Sequence, residues 1–156
     1  MRRKDREIKD LSKIEQIINQ ARFLHLGMFD GEFPYVVPLH YGFINENDKF
    51  IFYCHSALEG KKLDCIKNNS NVFIEIDTGE KLITADTACK YGAEYKSVMC
   101  TAKATIVEDK DEKMFGLKLL MKTQTGKDFE IPRLMLNAVT VIRLEVLSIS
   151  AKECKR

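Results

Sequence analysis

The stretch that decides the fold is Tyr53-Cys54-His55-Ser56-Ala57-Leu58-Glu59-Gly60-Lys61-Lys62-Leu63-Asp64-Cys65-Ile66-Lys67. Just upstream, Phe50-Ile51-Phe52-Tyr53 is rich in aromatic and β-branched residues and reads as a buried strand. Downstream, Leu63 and Ile66 recur at helical spacing until Asn68-Asn69-Ser70 ends the run. His55, Ser56, Gly60, Lys61 and Lys62 therefore fall where a strand turns into a helix. A glycine there permits close approach of a ligand to the backbone, a helix start presents unpaired N–H groups, and two lysines add positive charge. That combination suits a phosphate. It equally suits a plain turn in which Ser56 and Glu59 form a capping box and both lysines are solvated. Neither G-x-x-x-x-G-K-[ST] nor G-x-G-x-x-G is present to decide between them.

Working toward the N-terminus, Tyr35 to Gly42 alternates, with Tyr35, Val37, Leu39 and Tyr41 on one face and Val36, Pro38 and His40 on the other. Pro38 cannot donate to a ladder, so an edge or a bulge is expected there. Asp30-Gly31 predicts a hairpin back to a strand over residues 22–29, with Leu24, Leu26 and Met28 facing inward. Ahead of it, Ser12-x-x-Glu15 reads as a capping box for a helix over 13–20. Toward the C-terminus, Val72 to Ile76 predicts a strand, residues 78–96 a long irregular loop, and Ser97 to Val107 another strand. A helix over 110–122, capped by Asp109-x-x-Glu112, follows. A second irregular stretch spans 123–138, and a last strand runs from Val139 to Ile149. The sum is α+β, mainly antiparallel, with about six strands, a chain short enough to close them as a small barrel with short peripheral helices.

The 156 residues, 45% hydrophobic, fit a single domain over 1–156. A net charge of +2 gives no broad drive toward nucleic acid, and no apolar run approaches the ~20 residues of a membrane span. Five cysteines without a C-x-x-C argue against a disulfide framework or a zinc site and for the cytoplasm. His25, among apolar neighbours, reads as a packed, hydrogen-bonded histidine, and Cys89 is the cysteine expected to be exposed.

Five segments in register carry a resemblance: Met1 to Ile8, Tyr35-Val-Val-Pro-Leu-His-Tyr-Gly42, His55-Ser-Ala-Leu-Glu-Gly-Lys-Lys-Leu-Asp64, Tyr95-Lys-Ser-Val98 and Val141-Ile-Arg-Leu-Glu145. Together they resemble the flavin-binding split-barrel proteins related to pyridoxamine 5′-phosphate oxidase, and within them the nitroimidazole-resistance subgroup. The resemblance implies a split β-barrel, a homodimer, and FMN in a cleft between protomers. It implies that Pro38, Leu39, His40 and Tyr41 run along the flavin ring, with His55, Ser56 and Ala57 near the ribityl chain. Gly60, Lys61 and Lys62 would lie at the phosphate, with Ser97 and Val98 closing over it.

The activity so implied is reduction of a small nitroaromatic, with electrons from a donor such as a reduced nicotinamide. His55 is then the candidate proton donor. Two alternatives stay open: a haem-binding barrel with His40 or His55 as axial ligand, and a flavin carrier without turnover.

Overall fold

The computed structural model describes residues 3–155. Its chain order is a 3₁₀ turn at Lys4–Arg6, β1 (Glu7–Ile8), α1 (Leu11–Gln20), β2 (Leu24–Phe29), β3 (Pro34–Leu39), β4 (Tyr41–Glu46) and β5 (Lys49–Ser56). Then come α2 (Lys61–Asn68), β6 (Asn71–Ile83), β7 (Gly92–Val107), α3 (Lys110–Thr125), a 3₁₀ turn at Arg133–Asn137, and β8 (Thr140–Cys154). Met1 and Arg2, part of the first resembling segment, lie outside the described residues.

All strand pairs are antiparallel, in the order β3-β2-β6-β7-β8-β5-β4, with β1 added beside β8. The two ends of this sheet are consecutive in sequence. Leu39 pairs with Leu24 of β2, whereas Tyr41 pairs with Cys54 of β5, and His40 between them belongs to neither ladder. One predicted strand therefore changes partners at His40 and bends the sheet round into a split barrel. Pro38 sits on the edge strand, opposite His25, as its missing N–H requires.

The barrel interior is filled by the alternating residues of β2, β5, β6, β7 and β8: Leu24, Leu26, Phe52, Ile74, Ile76, Val98, Ile142 and Leu144 are all buried. Tyr41 is wholly buried too, and its hydroxyl donates to the carbonyl oxygen of Ile18 at 2.5 Å, closing the end of α1 against the barrel. α3 lies across the outside of β4, β5 and β8. Its backbone packs so closely that a Cβ on Gly42 would collide with Leu119 and Leu120, and one on Gly116 would reach Tyr53 Cδ1 at 2.7 Å.

Four expectations are corrected. The cap of α1 is Asp10, whose side chain accepts from the Ser12 N–H, so the Ser12/Glu15 box does not form. Residues 78–96 are not a loop for most of their length. β6 and β7 extend as a hairpin arm in which Lys81 pairs with Glu94 and Ile83 with Gly92, past a register shift between Thr78 and Lys81. The 123–138 stretch contains the last turn of α3, ended by Gly126 at φ 72°, and a 3₁₀ turn. The six strands become eight through the break at His40 and the short β1. All five cysteines are unpaired, and Cys89 is the exposed one. Among the described residues no helix is long and apolar enough to cross a membrane.

Candidate functional site

The alternation of β5 divides its C-terminal end between two faces. Cys54 and Ser56 are buried on the barrel side, while His55 between them is exposed on the α3 side. Consecutive residues thus serve two different surroundings.

On the barrel side, Ser56 Oγ accepts a hydrogen bond from Lys62 Nζ at 3.0 Å. Gly60, at φ 140° with no atom within 4 Å of a built Cβ, forms the turn, and its carbonyl accepts from the N–H groups of Leu63 and Asp64. Gly60 itself offers no side-chain cap, so the Ser56/Glu59 capping box does not form. The N–H groups of Lys61 and Lys62 in the first turn have no intrahelical acceptor available. Lys61 Nζ is 2.6 Å from Asp30 Oδ2 and lies over the Tyr35 ring at 4.9 Å. Lys61 holds the Asp30 carboxylate well below its usual range, helped by the N–H groups of Phe33 and Glu32. This donor set fits a phosphate: an ammonium already bridged to a hydroxyl, a side-chain-free turn and a helix start. Lys61 would have to share its charge with Asp30.

On the α3 side, His40, in the break before β4, lies close enough to His55 for the charge of one ring to act on the other. His40 packs against Phe23 with ring centroids 4.4 Å apart and the rings tilted by 37°, and its Nδ1 lies 3.2 Å from the Arg22 carbonyl and 3.4 Å from Gln124 Oε1. Gln124, in the last turn of α3, also donates to the Tyr41 carbonyl at 2.8 Å. His55 lines a cavity of about 340 Å³ together with Leu117, Leu120, Met121, Ile131 and Met135. Desolvation by these apolar walls pulls the His55 pKa below its ordinary value, and the positive charges of His40 and Lys62 add to the effect.

The remaining residues named by the resemblance divide similarly. Pro38 and Ala57 are exposed and Leu39 is half-buried, whereas the Tyr41 and Val98 side chains are core, and the Val98 backbone lies between two paired strands. Ser97 on β7, opposite Asp77 of β6, is 5% exposed, and its Oγ has no hydrogen-bond partner among the described residues. A buried hydroxyl without a partner is uncommon and marks a place where a ligand oxygen would be satisfied. His25 is hydrogen-bonded as expected but half-exposed rather than packed: its Nδ1 lies 3.1 Å from Glu75 Oε2 and 3.7 Å from Asp77 Oδ1. The sequence reading missed this pair, although β2 and β6 set His25 directly opposite Glu75. It also missed the cavity, because one side of it comes from the irregular 126–138 region packed against α3.

Residues 10–153 match the family model described as Pyridoxamine 5'-phosphate oxidase, and the chain belongs to that family. Among solved structures, a Bacteroides thetaiotaomicron protein named for a proposed role in 5-nitroimidazole antibiotic resistance is 34% identical, with a TM-score of 0.80. That match covers 94% of this chain and 86% of the other. The flavocytochrome Anf3 from Azotobacter vinelandii (18% identity, TM-score 0.80, covering 100% and 72%) shares the fold. So does an FAD and heme binding protein from Mycobacterium smegmatis (13%, 0.79, covering 97% and 74%). No curated protein matches the sequence.

Proposed function

We propose that this chain is an FMN-dependent oxidoreductase that reduces a small acceptor such as a nitroaromatic. The observation that carries the reading is the division at the end of β5: Ser56 joins Lys62 on the phosphate side while His55, its neighbour, opens on an apolar cavity. The 34% identity to a protein named for nitroimidazole resistance supports the substrate class. Bound flavin would supply the two-electron carrier between a reduced nicotinamide and the acceptor.

The chain's own residues have defined tasks in this reading. Gly60, Lys61 and Lys62 hold the phosphate, and the Pro38–Tyr41 segment, with Ser97 and Val98, orients the cofactor. His55 delivers a proton. Converting a nitro group to a nitroso group takes two electrons and two protons and releases water, so a proton source beside the acceptor accelerates the step. The lowered pKa leaves His55 mostly neutral at pH 7 and makes its protonated form a stronger acid.

A homodimer completes the proposal. Phe29, Val36, Phe73 and Leu147 are 45–61% exposed and line one open apolar surface across β2, β3, β6 and β8. A patch of that kind on a small domain is normally covered by a partner. Five free thiols suit the cytoplasm.

A haem reading rests on the two neighbouring histidines, His40 and His55, and on the haem named for the mycobacterial relative. Anaerobic reduction of the purified protein followed by stopped-flow addition of nitrobenzene tests the favoured reading. Flavin reoxidation coupled to loss of the nitro compound is expected; reoxidation by oxygen alone would reduce the protein to a flavin carrier.

A further inference from the structure

His40 stands in the break between β3 and β4, so no ladder fixes its direction. Three neighbours hold it instead. The Phe23 ring packs against it, with centroids 4.4 Å apart. The Arg22 carbonyl oxygen lies 3.2 Å from Nδ1, and Gln124 Oε1 lies 3.4 Å from the same atom. A carbonyl oxygen can only accept, so Nδ1 carries the proton and donates it. The orientation of Gln124 is settled in the same way. Its amide nitrogen donates to the Tyr41 carbonyl at 2.8 Å, which leaves the amide oxygen as the end turned to His40. The end of α3 that carries Gln124 is itself tied down. Arg22 Nη1 donates at 2.6 Å to the Gln124 main-chain carbonyl, one of those that a helix end leaves without an internal partner. With Nδ1 protonated, the neutral His40 ring keeps a bare lone pair on Nε2, and the residue is exposed.

We infer that Gln124 is a positioning residue: with the Arg22 carbonyl it holds His40 in the Nδ1–H form, which makes Nε2 a fixed acceptor for the N–H of an oxidised flavin ring. The choice of ligand rests on the flavin reading above. A histidine side chain free in water prefers to carry its proton on Nε2, and the partner of one ring nitrogen decides the state of the other. Unbraced, His40 would therefore present a donor. The oxidised flavin ring has a single N–H, in its imide, flanked by two carbonyl groups that only accept. A donor at His40 would suit those carbonyls, whereas an acceptor suits the N–H between them, so the tautomer selects the contact. Gln124 lies more than 80 residues from His40 in sequence and reaches it only because α3 packs across β4.

The chain has three histidines, few enough for each ring to be assigned by nitrogen-15 NMR, in which protonated and bare ring nitrogens resonate far apart. At about pH 8.5, roughly two units above the ordinary histidine value, His40 of FMN-free protein should read as the Nδ1–H form. Gln124→Leu should raise its Nε2–H share severalfold. Gln124→Glu keeps an acceptor toward His40 while losing the donor to Tyr41, so it should restore the wild-type form and separate positioning from packing. The binding probes are FMN and FMN methylated at the imide nitrogen, compared by fluorescence titration. The preference for FMN should be about 2- to 10-fold greater in the wild type than in Gln124→Leu. Protein that binds neither flavin yet keeps the Nδ1–H form would defeat the flavin reading and leave Gln124 as the residue that sets the tautomer. An Nε2–H ring in the wild type, a tautomer unchanged by Gln124→Leu, no rescue by Gln124→Glu, or an undiminished preference for FMN in the Leu variant would overturn the inference.

Discussion

The two sides of β5 are built on opposite principles. The α2 start is polar, formed by Ser56, Gly60, Lys61 and Lys62, and its charges are already partnered: Lys62 by Ser56, Lys61 by Asp30. The α3 side is apolar, with His55 as the group directed into it. One residue of strand alternation separates them. A sheet thus delivers two environments a single step apart, one suited to gripping an anion and one suited to excluding water. Holding and chemistry need not compete for the same side chains.

If that division is real, the two faces fail differently. Replacing Lys61 and Lys62 together by Ala should weaken FMN binding on the order of 100-fold or more, with little change for riboflavin, which lacks the phosphate. Equal losses for the two ligands in fluorescence titrations would show that the pair supports the fold instead. His55→Gln should keep FMN stoichiometry and slow flavin reoxidation by a nitroaromatic about 10²-fold, the low end for general acid catalysis because the lowered pKa leaves few protonated rings at neutral pH. An unchanged rate per bound flavin would remove His55 from the chemistry.

Gly42→Ala probes the wall between the faces. Its Cβ would drive into the α3 backbone at Leu119 and Leu120, so a loss of about 1–3 kcal/mol is expected, read as a melting temperature lower by roughly 2–10 °C. Unchanged melting would mean that α3 is not packed on β4 as described. The smallest effect is the pH profile. The folded state holds His55 below its ordinary pKa, so the unfolded chain binds its proton more readily. The stability it contributes is full above the unfolded value near 6.5 and declines as pH falls below that. The reoxidation rate should move the other way, rising a few-fold as pH falls from about 7.5 toward 5.5, and His55→Gln should flatten it.

Most of the barrel was legible because its strands bury one face. Leu24, Leu26 and Met28, or Val98, Cys100, Ala102 and Ala104, alternate without exception and are all buried. The β6–β7 arm was not legible for the complementary reason: residues such as Glu80, Lys81, Leu82 and Ala93 are exposed on both faces, so no burial pattern is written into them. The phosphate turn could be read from local chemistry, since glycine, lysines and helix start are contiguous. The cavity could not, because Leu117 and Met135 are joined only by tertiary packing, and the strap between them has no period. The partner change at His40 is likewise invisible to alternation, which runs unbroken from Tyr35 to Tyr41.

The central claim is that this barrel carries FMN with its phosphate on the α2 start. Its most direct test is the visible spectrum and released-cofactor mass of the protein purified from cells, taken for the wild type and for the Lys61→Ala/Lys62→Ala variant. The account predicts a flavin spectrum with the mass of FMN at one per protomer for the wild type, and a largely colourless variant that still folds. A Soret band, a mass other than FMN, or full FMN occupancy in the variant would contradict it.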